Sequence, residues 1–164
     1  MQLSIVPDIL ATPASSAICV PISGSLRPDG SALIGDGLAF ALYSMFPGVI
    51  DVQLGDEIRH NGLHVVSLGY YHIHDIPKQL LAFPYRREWD RPADIGLVMQ
   101  SVLELGALTE DVEWWKRGHG TDEVLIPIQD LVCGGLAADD VDVLFSPIYD
   151  GRIVAVVSSL EDLL

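Results

Sequence analysis

Two short stretches of this chain combine glycines with the approach to a helix, an arrangement from which exposed backbone N–H groups hold an anion. The first is Ile34-Gly35-Asp36-Gly37-Leu38-Ala39. The second runs from Ile126-Pro127 through Ile128, Gln129, Asp130, Leu131, Val132 and Cys133 to Gly134-Gly135-Leu136. Pyrophosphate oxygens suit such loops, because backbone donors approach them closely without any side-chain charge. Either loop alone is equally a plain connection between elements; two in one α/β chain are a stronger sign. His72 and His74 alternate beside Asp75, which on a strand would put both imidazoles on one face, as a metal site needs. Surface or core histidines are the plainer reading, and no metal or cofactor is expected. Trp114 and Trp115 stand beside Lys116, Arg117 and His119. They suit a base-stacking lid, but a loop anchor or partner contact is the simpler role. Cys133 falls inside the second loop as a candidate reactive thiol, with a structural cysteine as the alternative.

The elements that would position these groups alternate between β and α, which favours a layered α/β domain. Strands are expected over Leu3 to Val6, Ala17 to Ile22, Leu63 to Leu68, Gln79 to Phe83, Val124 to Ile128 and Arg152 to Val157. The strand ahead of Pro84 should stop there. Ser23 to Ser31, with two glycines and a proline, reads as a loop. Leu38 to Met45 is apolar nearly all round, as a sandwiched helix would be. A second helix is expected to start at Asp90-Arg91-Pro92-Ala93-Asp94, with the proline in its first turn. Its core face is Ile95, Val98, Met99, Val102 and Leu105. Residues 108 to 122 read as a surface excursion, Gln129 to Gly135 as a loop, and Ala137 to Phe145 as a last short helix. Ligand sites in such domains lie beyond the carboxyl ends of the strands.

Composition narrows the function. The 164 residues, 49% hydrophobic and 20% charged, suit one globular domain spanning 1–164. A formal net charge of −14 repels nucleic-acid backbones and anionic membranes, so neither is an expected partner. It also opposes an anionic ligand at long range, so any phosphate site must rely on local donors. Cys19 and Cys133 form no disulfide framework and read as free thiols in a reducing compartment. No secretory signal or membrane span is expected, and the cytoplasm is the expected location.

Taken in order, five segments resemble the macrodomain family, the ADP-ribose-binding fold. Val6-Pro7-Asp8-Ile9-Leu10 resembles its strand-end Gly-Asp-Ile stretch, and Ala17-Ile18-Cys19-Val20-Pro21-Ile22-Ser23 its Ala-Ile-Val-Asn-Ala-Ala-Asn segment. Ile34 to Ala39 with Phe46-Pro47, and Phe83-Pro84-Tyr85-Arg86-Arg87-Glu88-Trp89, resemble one branch. That branch holds the DNA ADP-ribosyl glycohydrolase antitoxins and the terminal ADP-ribose glycohydrolases. Ile126-Pro127 through Leu136 and Val141 resemble its last strand, second phosphate loop and last helix.

The resemblance implies a three-layer α/β/α fold with a mixed, mostly parallel sheet. It implies that Asp8 accepts the adenine amino group and that Ile9 offers its backbone to the ring. Gly35, Asp36, Gly37 and Leu38 would supply the first phosphate loop; Asp130, Leu131, Val132, Cys133, Gly134 and Gly135 the second. Departures cluster at the chemistry. Asp36 replaces a small or basic residue and should point to solvent. Asp130 stands where the second loop has its first glycine. Ser23 replaces the asparagine beside the distal ribose. Arg86 replaces the lysine that attacks the ribose, and guanidinium stays protonated, a poor nucleophile that still clamps phosphate or carboxylate. Binding of ADP-ribose or an ADP-ribosylated molecule is therefore the leading expectation. An ADP-ribosyl glycohydrolase, using Arg86 or an acid such as Asp130 or Asp139 with a bound water, is the alternative. A domain that lost the ligand and kept a protein-interaction surface is the third; its protein partner is unknown.

Overall fold

The apolar runs assemble into one sheet. The computed structural model describes residues 3–5, 8–12, 16–111, 123–148 and 153–157. Its strands are β1 (Leu3–Ile5), β2 (Ser16–Ser23), β3 (Val66–Ile73), β4 (Ile76–Arg86), β5 (Glu123–Pro127) and β6 (Ile153–Val157). They lie in the order β1-β6-β5-β2-β4-β3. Every pairing is parallel except β3 with β4. The sheet is mixed and mostly parallel, as expected. Its interior strands are apolar without alternation because both faces are covered.

Those faces sort the side chains by parity. Ile18, Val20, Ile22, Leu80 and Ala82 face α1 (Gly37–Met45) and α2 (Ile50–Asn61), meeting Leu38, Ala39, Leu42, Ile50 and Leu54. Ala17, Cys19, Leu81, Phe83, Val124 and Ile126 face the other way. There they meet α3 (Ile95–Glu110), α4 (Ile128–Cys133) and α5 (Ala138–Phe145), through Val98, Val102, Leu105, Leu131, Val141 and Phe145. This is a three-layer α/β/α arrangement. No helix among the described residues is long and apolar enough to cross a membrane.

Several elements differ from the sequence expectation. α2 has no counterpart in it: its twelve residues are polar on average, and only Ile50, Leu54 and their neighbours reach the core. The strand expected over Leu63 to Leu68 starts later, at Val66, and continues to Ile73 as the first arm of a hairpin. His74 and Asp75 form its turn, with φ of 52° and 63°. Left-handed backbone at both central positions is the type I′ form of a two-residue hairpin turn. His74 therefore lies in a turn and not on a strand face with His72.

β4 does not stop at Pro84. The register pairs Ile22 with Pro84 but Ser23 with Arg86, so Tyr85 is an extra residue, a bulge. Pro84 is tolerated there because a bulge interrupts the ladder that a proline cannot join. α3 begins at Ile95, not within Asp90 to Asp94. Asp94 is the cap, accepting from Leu97 N at 2.9 Å, and Pro92 lies outside the helix. The helix also takes in Leu108 to Glu110, the expected start of the surface excursion. Gln129 to Cys133, expected as loop, form α4, with Leu131 fully buried. Val6, Pro7, Trp114, Trp115, Lys116, Arg117, His119 and Arg152 lie outside the described residues.

Candidate functional site

Parallel strands direct their carboxyl ends to one side of the sheet, and the cleft lies there. A hollow of about 220 Å³ is lined by Pro21, Ile22 and Ser23 from β2, Leu33 to Asp36, Ala39 of α1, Leu54, Arg86 and Trp89. A second, of about 190 Å³, adjoins it through the shared Pro21 and Asp36. Gly37, Tyr85, Asp130, Cys133 and Gly134 complete its walls.

Arg86 lines the first hollow. The β4 bulge places it next to Ser23. Its residue is only 8% exposed, yet its side chain lines the cleft. The guanidinium carbon sits 5.0 Å from the centroid of the Tyr85 ring, and Nη2 donates to Asp36 Oδ1 at 2.6 Å. Nε is buried and has no hydrogen-bond partner. A buried guanidinium edge without an acceptor is costly. Burial pushes the Tyr85 hydroxyl up to about 12, so the ring remains a neutral platform for the cation.

Asp36 was expected to point to solvent. Its side chain is 65% exposed, but it turns back onto Arg86 because that cation lies within reach. One consequence concerns α1. Asp36 is the N-cap residue of that helix, yet its side chain makes no capping hydrogen bond. The first turn of α1 carries no acidic residue either. The capping carboxylate comes instead from 92 residues away, where Asp130 Oδ2 accepts from Leu38 N at 2.8 Å. Burial raises the Asp130 carboxyl above the ordinary aspartate range; the Leu38 hydrogen bond opposes this, Asp36 adds to it and Arg86 lowers it.

Two glycines are required by this geometry. Gly37 has φ of +67°, and a Cβ on it would lie 2.8 Å from Asp130 Oδ2. Gly134 packs so closely on Tyr85 that a Cβ would fall 2.3 Å from the ring. Gly134 also accepts from Ala93 N at 2.8 Å, while Tyr85 O accepts from Asp94 N at 2.8 Å. These bonds tie β4, α4 and the start of α3 together under the second hollow.

The structure brings together Ser23, Gly35, Asp36, Gly37, Arg86, Asp130, Cys133 and Gly134 around the two adjoining hollows; Leu38 reaches them only through its N–H to Asp130, its side chain being core. Other expected residues stand elsewhere. The Leu131 side chain is core and Val132 packs against that core, since their segment is helical. Gly135 (φ +104°) lies in the turn after α4 and lines neither hollow. Asp8 accepts from Leu10 N at 3.0 Å and caps a short 3-10 helix over Ile9–Ala11. Ile9 packs on Leu125, Val154 and Val156. Asp8 and Ile9 line neither hollow.

Other residues of the site were not expected there: Tyr85 and Trp89, Pro21, which both hollows share, and the apolar wall of Ile22, Leu33, Ile34, Ala39 and Leu54. Tyr85 and Trp89 sit in the segment quoted around Arg86, and their aromatic character was the available signal. Among the described residues no cluster of three or more histidine, cysteine or acidic side chains stands ready for a metal. Cys19 is fully buried and its thiol is raised by that burial, which leaves it inert.

No known family's sequence profile matches the chain, and no curated protein sequence does. Solved structures do. The macrodomain of Mycobacterium tuberculosis DarG superposes with a TM-score of 0.64 at 16% identity, covering 95% of this chain and 96% of that one. The macrodomain of Thermus aquaticus DarG gives 0.66 at 13%, covering 96% and 97%. Thermosipho africanus DarTG, solved in complex with ADP-ribose, gives 0.65 at 21% over 98% of this chain; the match spans 42% of that longer protein.

Proposed function

We propose that this chain, whose fold is that of the macrodomains, binds ADP-ribose or an ADP-ribosylated molecule in the cleft at the carboxyl ends of β2 and β4. The observation that carries the proposal is Arg86, buried, facing the cleft and holding an unpartnered Nε beside the start of α1. A guanidinium edge and the backbone N–H groups of a helix start are the donors that a diphosphate needs. The apolar wall of Ile22, Leu33, Ile34, Ala39 and Leu54, with Trp89 at the rim, suits a ribose or base face. Asp8, with Ile9, remains the proposed partner of the adenine amino group, since a carboxylate can only accept and that amine only donates. ADP-ribose in the Thermosipho africanus structure supports the choice of ligand. A cytoplasmic setting is part of the same proposal, in keeping with two free cysteines.

Covalent attack on the ribose finds no support at Arg86, which is held by Asp36 as an ion pair and cannot supply a neutral amine. The reading is therefore of a binder. Calorimetric titration with ADP-ribose, against AMP and NAD as controls, tests it. One saturable site that prefers ADP-ribose is expected; equal heats for all three nucleotides, or none at any pH, would remove the proposal.

A further inference from the structure

We infer that Asp130 is a built-in competitor for the anion seat at the start of α1, so that a phosphate enters only when the Asp130 carboxylate leaves the Leu38 N–H. This deepens the binding proposal above and rests on it for the identity of the natural ligand, though not for the seat itself.

Three observations carry it. First, α1 is a nine-residue helix whose positive end has neither a capping side chain of its own nor an acid in its first turn. Second, the charge that would answer it comes from a distant element, at 2.8 Å on Leu38 N, and fills the space that the missing Gly37 side chain leaves. Third, the cation beside this point, Arg86, is buried with its Nε unpartnered, although Asp36 already engages Nη2. A carboxylate on the helix start, a cation alongside and an unfilled donor edge together describe an anion site with its own anion in place.

The groups facing Asp130 set the direction of the effect. Asp36 lies before α1, Arg86 and Tyr85 come from β4, and Cys133 lies on its own helix. Burial and Asp36 make the charged carboxylate less favourable, and an incoming phosphate would do so further. A diphosphate diester keeps its charge throughout the range in which aspartate titrates. Binding should therefore take up protons. Affinity rises as pH falls toward the raised Asp130 range and levels off below it.

The test uses the whole chain, Asp130→Asn, which stays neutral and can still accept from Leu38 N, and Asp130→Ala, which vacates the seat. ADP-ribose is titrated between about pH 8 and about pH 5, a window spanning ordinary and raised carboxyl values; inorganic pyrophosphate, which takes up a proton of its own in that window, is compared between the proteins at the upper pH alone. The Leu38 amide shift is followed by NMR in the same samples. In the parent, that shift should titrate with Asp130 and affinity should grow with acidity. Asp130→Asn should bind at least about tenfold more tightly at the upper pH, in line with the loss of a charged competitor, and lose the pH slope. Pyrophosphate binding to Asp130→Asn without ADP-ribose binding would keep the seat and remove the ligand proposal. ADP-ribose binding with equal affinity and equal pH profile in all three proteins would overturn the competitor and leave the ligand. Weaker binding by both variants, or no anion binding by any protein, would overturn it as well.

Discussion

At the scale of single residues the site turns on one cation and two carboxylates. Arg86 is held by Asp36 at 2.6 Å and stacked against Tyr85, so its position is fixed before any ligand arrives. Arg86→Ala should weaken ADP-ribose binding by about tenfold or more, the usual effect of removing a charge-assisted donor. Arg86→Lys, which keeps the charge but loses the fork and the ring contact, should fall between. Neither the parent nor Arg86→Ala should release ADP-ribose from modified DNA or protein. Robust release by the parent would give the arginine, or a neighbouring acid, a catalytic role that its chemistry argues against. The resemblance carried by the Phe83 to Trp89 segment made Arg86 legible as a cation able to clamp phosphate or carboxylate, but not its anchoring by Asp36 and Tyr85. It could not reveal the bond between Asp130 and Leu38, because a contact across 92 positions leaves no trace in spacing. Nor could it show that Leu131 and Val132 turn their side chains into the core. An anion loop and a short helix with glycines at its end look alike in one sequence.

At the scale of elements, the two glycines around the start of α1, Gly35 before it and Gly37 as its first residue, look equivalent in sequence and are not in space. Gly37 is left-handed and presses on Asp130, whereas a Cβ on Gly35 meets nothing within 4 Å. Gly37→Ala should cost about 1–2 kcal/mol from its backbone alone, with more from displaced Asp130. Gly35→Ala should leave stability nearly unchanged. Urea midpoints for the two variants decide the matter, and equal midpoints would mean that Asp130 does not bear on Gly37. Apolar runs made β2, β5, α1 and α5 readable. The misses have physical causes: α2 is mostly polar, and the β3–β4 hairpin turns on His74-Asp75 rather than on a glycine pair. The Pro84 stop signal was overridden by the bulge. α3 was found by its apolar periodicity, but Ile95 and Met99 of the expected core face are exposed and Leu97 is buried in their place. Its start was misjudged because two aspartates four residues apart both look like caps, and its end because it takes in Leu108 to Glu110.

At the scale of the whole molecule, a net charge of −14 surrounds a cleft meant for an anion. Long-range repulsion should slow the encounter, while Arg86 and the helix start act only at contact. Raising ionic strength from about 0.01 M to about 0.15 M shortens the screening length from about 30 Å to about 8 Å. The association rate of ADP-ribose should therefore increase with salt, the reverse of a site fed by positive steering. A rate that falls with salt, measured by stopped flow, would mean that local positive potential reaches well beyond the cleft. Composition alone made this charge legible; only the fold shows how few residues must work against it.

The hairpin turn at His74-Asp75 lies at the start of β4, and Arg86 lies at its end. Eleven residues of strand at about 3.3 Å each separate them by about 36 Å. A fluorophore or a surface tether attached at that tip would hold the molecule by the edge of the sheet remote from the cleft. Immobilised in this way, the chain would present its opening freely to modified targets too large to reach a protein anchored by the wrong end.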